Sequence, residues 1–372
     1  MSVAVKRVGS APVDGMAMRA ADGDGSAGRA LSLALFALAA IGGVSPARGC
    51  DLCAVYTTSE AREDQTGFRV GLGAQFTYFH TLQNDGARVP NPYDEKIASA
   101  IAQLLLGYNV FPRFGLQLNV PYIVRDYRRV LQSGVQDGTV DGFGDLSLVA
   151  IGKLFSWSEL DRIAHLVAFA GVKLPSGDPS LLQEEVPTKP CVPFPDPTAC
   201  HQRVRVPPDR HGHHSTGPPS GVHGHDLTLG SGSVDGLIGA QVFGFWQRAF
   251  VTAFLQYAAR NVGAYDYRFA NDLLFGVGPG AYLWTGDLLF DAPYTVRGQV
   301  IFSGETKGND SIDDVHLTDT GLTALYLGPA LAFDWSTHLA VELWAELPVR
   351  QHNTQLQIVA NYRLRGGATW RF

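Results

Sequence analysis

The chain has 372 residues, a formal charge of −6, 45% hydrophobic residues, 42 glycines and a mean hydropathy near zero. That acidic balance shows no nucleic-acid footprint. Beyond residue 49, no run of about eighteen uninterrupted apolar residues offers a transmembrane helix. The composition suits a sheet protein whose strands are each only half apolar.

The first element is LSLALFALAAIGGV at 31–44. An apolar run of about fourteen is too short to span a bilayer as a helix and fits the core of a secretory signal. Lys6, Arg7, Arg19 and Arg29 precede it, and Ala47 and Gly49 mark a cut before Cys50. The expected division is a signal peptide at 1–49, a periplasmic amino-terminal segment at 50–66, and a barrel at 67–372. Removing 1–49 leaves 24 basic against 32 acidic residues, a charge of −8.

Segments with a two-residue repeat then follow one another. Successive side chains of a strand point to opposite faces. In FRVGLGAQFTYF, Phe68, Val70, Leu72, Ala74, Phe76 and Tyr78 share one face, and Arg69, Gln75 and Thr77 the other. Further strands are expected near 98–110, 114–125, 143–155, 164–174, 234–243, 249–260, 272–284, 294–303, 320–333, 339–350 and 355–372, about twelve in all. Short connections, such as Phe111-Pro112-Arg113, alternate with long ones at 80–97, 126–142, 175–233, 261–271 and 304–319. Outer-membrane barrels alternate short periplasmic turns with long outer loops, and an even strand count puts both termini on one side. Tyr78, Tyr108, Tyr122, Phe155, Tyr257, Trp284, Trp344 and Trp370 lie near strand ends and are expected to form the interfacial girdle. The last strand, LQIVANYRLRGGATWRF, alternates Leu356, Ile358, Ala360, Tyr362 and Leu364 with Gln357, Asn361, Arg363 and Arg365, and ends on Phe372. It resembles the closing strand that the barrel-assembly machinery reads. The fold expected is all-β: a single transmembrane antiparallel β-barrel in the outer membrane of a Gram-negative bacterium.

Three motifs occur in order: GFGDLSLVAIGK (142–153), VAFAGVKLPSGDP (167–179) and LGSGSVDGLIGA (229–240), with LQLNVPYIVR (116–125) ahead of them. Together they resemble the outer-membrane barrel family described as transporters of the meta-pathway of phenol degradation. The resemblance covers about 68–372 and implies an outer-membrane barrel that carries small organic molecules. The long insertion between the second and third motifs departs from the family pattern.

Alternation points Asp145, Lys173 and Asp235 inward on consecutive strands near the outer mouth. A charge turned to lipid would cost about 2–4 kcal/mol near the midplane, so a cross-strand ladder inside the lumen is expected. It would serve either as a buried staple for register and loop or as a charged constriction. Arg69, Arg125, Lys153, Arg260, Arg297, Arg350, Arg363, Arg365 and Arg371 also fall on inward positions, against Asp145, Asp235, Glu342 and Glu346. A lumen that leans positive would concentrate anions, favouring an anionic or polar aromatic solute. The alternative is mutual neutralisation inside a plugged barrel.

Cys191 and Cys200 bracket VPFPDPTA in the long outer loop expected at 176–230, and Cys50 and Cys53 form CDLC. In an oxidising compartment each pair is expected to form a disulfide, with a redox-active dithiol as the alternative at CDLC. Ala54 stands where c-type haem attachment needs a histidine. The loop also carries His201, His211, His213, His214, His223 and His225 before Asp226, a donor set for zinc, copper or nickel. His80, His165 and His338 have no nucleophile motif beside them, so an enzyme is not expected. The leading function is a passive channel without a resident cofactor, its partners being membrane lipid, the assembly machinery and a small solute. The alternative is a metal-binding surface protein that uses the histidine loop.

Overall fold

The structure is a computed structural model that describes residues 66–186, 220–289 and 292–372. The signal segment at 1–49, the four cysteines, and His201, His211, His213 and His214 lie outside the described residues. Twelve strands form the wall: β1 (Gly67–Asn84), β2 (Lys96–Phe111), β3 (Phe114–Leu131), β4 (Leu146–Glu159), β5 (Arg162–Leu174), β6 (Asp235–Trp246), β7 (Ala249–Ala259), β8 (Asp272–Leu289), β9 (Ala292–Lys307), β10 (Leu322–Trp335), β11 (Leu339–Asn353) and β12 (Leu356–Arg371). Each pairs antiparallel with its sequence neighbour, and β12 pairs with β1 from Arg69↔Arg371 to Asn84↔Leu356. The sheet therefore closes on itself and leaves no edge. Among the described residues no helix is long and apolar enough to cross a membrane.

The exterior is apolar. Leu72, Ile238, Leu331 and Leu343 are 63%, 59%, 54% and 62% exposed. A continuous band of such residues is what lipid, not water, solvates. Gln75, Thr77, Gln103, Gln117, Asn119, Gln241 and Gln256 are buried on the inner face. The fold is thus that of an outer-membrane barrel, and its polar side chains pair with one another in the lumen.

Bulges overturn the expectations for Ile358, Ala360 and Arg350. Register shifts beside His80 and Asn361 insert an extra residue into β1 and into β12. A bulge shifts parity by one residue, and a one-residue slip flips every later side chain. Ile358 and Ala360, expected on the lipid face, are buried inside with Leu82 and Phe79. A second shift, where Leu325↔Arg350 gives way to Tyr326↔Pro348, turns Arg350 out of the lumen near the outer end of β11, opposite outward Leu325. Trp344 is not part of the girdle: it pairs with buried Ala330 and lines an internal recess. The segment expected as a loop at 126–142 is mostly a hairpin. Its outgoing arm is the end of β3 and its return is a strand at Gly134–Phe143. Arg128–Asp137, Thr139–Asp126 and Arg129–Gln136 bonds join the arms, and that polar pairing gives the segment a loop-like composition.

Candidate functional site

The three motifs meet at one end of the lumen. In the first, Asp145 sits just before β4; in the second, Lys173 closes β5; in the third, Asp235 opens β6. Lys173 Nζ donates to Asp145 Oδ2 at 2.6 Å and to Ser231 Oγ at 2.6 Å, and lies 3.0 Å from Asp235 Oδ2. The ladder continues beyond the predicted residues. Arg260 donates to Asp235 Oδ2 at 2.8 Å and to Asp272 Oδ2 at 2.7 Å. All five side chains are at most 6% exposed. Buried charges are tolerated only when paired and hydrogen-bonded, and the motif serines and backbone supply the remaining donors. Ser231 N–H and Oγ–H reach Asp145 at 2.9 Å each, and Gly177 N–H reaches it at 3.0 Å. The glycines are there for approach: a Cβ on Gly177 would lie 2.5 Å from the Leu229 carbonyl, and one on Gly230 would lie 2.5 Å from that of Gly177.

This knot ties down the two described limbs of the long loop, 175–186 and 220–234. They do not stand away from the barrel but fold across its outer mouth. On one side Val222 and Leu227 pack on Leu82, Ile97 and Ile358, and Leu229 packs on Ile101 and Ile123. On the other, Leu182 packs on Tyr267, Phe269 and Ile312 from the next two loops. Arg125 donates to the Thr228 carbonyl, Arg129 grips Glu184 through two bonds at 2.6 and 3.0 Å, and the Glu95 carboxylate accepts from Gly221 N–H at 3.2 Å. A short helix, α1 (Gly224–Leu227), sits in the second limb. His225 lies at its centre, with Nδ1 3.1 Å from Glu185 Oε1 and Nε2 3.4 Å from Asp226 Oδ1. Burial works against charge on His225, yet the Asp226 and Glu185 carboxylates outweigh it and push its pKa up to about 10. Burial likewise opposes charge on Glu185, and His225 overcomes this to hold it well below the usual carboxylate range.

Below the plug, inward basic residues meet carboxylates, two of which, Glu305 and Asp334, the sequence reading left uncounted. Arg363 binds Glu305 at 2.8 Å beneath Tyr326, and Arg297 binds Asp334 at 2.7 Å. Arg365 Nε lies 3.2 Å from Glu346, and Glu346 accepts the Ser303 hydroxyl. With Asp272, Glu305 and Asp334 included, the wall is largely charge-compensated. Asp272, Glu305 and Asp334 offset most of the expected positive lean. Between these pairs lies a small recess walled by Phe243, Phe254, Trp344, Gln241, Gln299, Arg297 and Glu342. Gly276 and Gly278 of β8 make room for it; a Cβ on Gly276 would lie 2.4 Å from the Phe254 ring. Phe254 and Trp344 have ring centroids 6.5 Å apart at 36°.

Of the predicted lumen residues, Asp145, Lys173, Asp235 and Arg260 share one cluster, Arg125 anchors the plug, and Glu342 lines the recess. Arg363, Arg365 and Glu346 join charge pairs deeper in the lumen, while Arg350 faces outward. Of the predicted metal ligands, His223 and His225 stand beside Asp226. The sequence reading missed a contact at His165: Ser156 Oγ lies 3.0 Å from its Nδ1, and Phe243 stacks on the imidazole. The signal was obscured by a bulge between Lys153 and Phe155, which shifts parity along β4 and brings Ser156 onto the inner face.

No family model matches the chain, and no curated protein matches it. Solved structures do. An outer membrane channel from Pseudomonas putida F1 superposes with a TM-score of 0.51 at 15% identity, over 88% of this chain and 100% of that one. The β domain of the Bordetella autotransporter BrkA gives 0.37 at 11% identity, over 83% and 100%. A Pseudomonas aeruginosa FadL homologue gives 0.36 at 9% identity, over 88% and 99%. The first of these likenesses establishes the shared architecture: a closed outer-membrane β-barrel.

Proposed function

We propose that this chain is a non-catalytic outer-membrane channel for small organic solutes, with its outer mouth closed by its own long loop. The observation that carries this reading is the recess of Phe243, Phe254 and Trp344 inside the lumen. Aromatic walls with a few polar groups (Gln241, Gln299, Glu342) suit a planar, largely neutral aromatic ring bearing a hydrogen-bonding substituent. An anion gains little here, because Arg297 is already paired with Asp334. The reading agrees with the Pseudomonas putida neighbour being an outer membrane channel, and with the three motifs that resemble the phenol-pathway transporters. The carboxy-terminal strand is proposed as the signal to the assembly machinery.

The test is transport by the mature protein in liposomes. Phenol-class solutes are expected to enter faster than benzoate-class anions of equal size, and to quench Trp344 fluorescence relative to a Trp344→Phe reference. Equal or faster entry of the anions, with no quenching difference, would refute the solute class.

A further inference from the structure

We propose that His223, His225 and Asp226 form a divalent-metal site of the zinc class, built into the plug and independent of what the channel carries. One ligand atom from each of the three lies within 4.8 Å of the others. Zinc with nitrogen and carboxylate ligands at about 2.0–2.2 Å holds them closer than this, so binding draws the three inward by a rotation of side chains already adjacent. The surrounding bonds set up that closure. Glu185 Oε1 engages His225 at both its backbone N–H, 3.0 Å, and its Nδ1, 3.1 Å. A carboxylate on one imidazole nitrogen directs the other to a metal, and here that other nitrogen, Nε2, faces Asp226 Oδ1 at 3.4 Å. Asp226 is bifunctional: its Oδ2 accepts the backbone N–H of His223 at 2.9 Å, fixing the carboxylate while Oδ1 stays turned toward His225. The His223 ring lies beside that of His225, centroids 5.2 Å apart.

In the structure His225 Nδ1 is hydrogen-bonded to Glu185, and its Nε2 faces Asp226. A divalent ion bound at Nε2 would sit between two carboxylates that compensate its charge. The consequence is mechanical. Glu185 belongs to the first limb of the plug and the three ligands to the second, and Gly224 is close enough to the first limb that a Cβ would lie 2.4 Å from the Leu181 carbonyl. The His225 ring also stacks toward Tyr267 of the following loop, 6.4 Å away at 22°. A metal at this point clamps both limbs and the neighbouring loop in the closed arrangement.

The experiment is zinc titration of the chelator-stripped, folded full-length mature protein by calorimetry. A reference variant has His201, His211, His213 and His214 replaced by Asn and the four cysteines by Ser, removing adventitious ligands. It is expected to keep one zinc per chain with micromolar or tighter affinity. Adding Asp226→Asn, which retains the backbone cap, or His223→Asn is expected to weaken that binding at least 100-fold, with unchanged heat-dependent gel mobility. Zinc should also slow proteolysis of the plug in the reference variant and not in its Asp226→Asn derivative. Two results overturn the proposal: a reference variant that binds no zinc tighter than about millimolar, or binding that survives both added substitutions. If His223→Asn disturbs folding, Asp226→Asn alone decides.

Discussion

Replacing Lys173 with Met removes the centre of the buried ladder while keeping its volume. The loss is three contacts, to Asp145, Ser231 and Asp235. The five-group ladder of Asp145, Lys173, Asp235, Arg260 and Asp272 then changes from a formal −1 to −2. Breaking a buried pair costs about 3–5 kcal/mol because the partner charge is left uncompensated. Here the lower end applies, since both orphaned carboxylates keep other donors. Asp145 retains Ser231 and Gly177, and Asp235 retains Arg260 at 2.8 Å, Ser233 at 2.7 Å and Asn261 N–H at 3.0 Å. The wall hydrogen bonds of β4, β5 and β6 do not depend on Lys173, whereas Ser231 and Gly177 lie on the two limbs of the plug. The cost therefore falls mainly on plug docking, and about 3 kcal/mol shifts that equilibrium by about two orders of magnitude. Planar-bilayer recordings should show larger and more frequent openings. Limited proteolysis should cut the 176–233 region faster, with the barrel core still resistant. Lys173→Met combined with Asp145→Asn should recover part of the loss, because neighbouring substitutions in one network couple. Wild-type conductance and wild-type proteolysis would refute the staple. A variant with a normally docked plug but altered ion selectivity would assign the ladder to solute selection instead.

Leu104→Arg, midway along β2 on the lipid face, should destabilise the barrel by about 2–4 kcal/mol in vesicles; a urea midpoint unchanged from wild type would show that this face does not meet acyl chains. Trp344→Ala should weaken binding of a phenol-class solute about three- to tenfold, the worth of one aromatic contact of about 0.5–1.5 kcal/mol, measured by equilibrium dialysis; unchanged affinity would move the solute elsewhere in the lumen. Deleting Phe372 should reduce delivery of folded protein to the outer membrane while leaving in-vitro stability nearly intact. Its side chain is 76% exposed and its backbone gives one bond, N–H to the Phe68 carbonyl at 3.0 Å. Equal delivery, measured by fractionation, would refute its role as an assembly signal.

The wall was legible because a barrel writes its two solvents into alternate residues. All twelve strands could be placed from that pattern, including β8 with Pro279 on its outer face. Bulges were not legible. An added His80 or Asn361 leaves local alternation unchanged on either side and only reverses its meaning, so Ile358 read as lipid-facing. Partner identity was hidden for a similar reason. Lys173 and Asp145 sit inside recognisable motifs, whereas Asp272, Glu305 and Asp334 stand on strands with no distinguishing neighbours, and register alone delivers them to Arg260, Arg363 and Arg297. The inward fold of the loop depends on Leu82, Ile101 and Ile123 presenting an apolar inner surface at the mouth. Leu82 and its neighbour Ile358 came from the bulge-shifted ends of β1 and β12.

The two limbs of the plug are each fastened to the barrel near where they leave the described residues. Glu184 is held by Arg129, and Ser220 lies against the adjacent Val130, whose N–H is 3.4 Å from the Ser220 hydroxyl. Both limbs are therefore held by contacts made among the described residues alone. Lengthening a chain between fixed ends costs only about 0.6 kcal/mol for each doubling. Inserting residues between the two limbs should therefore leave the docking of both limbs on the barrel unchanged.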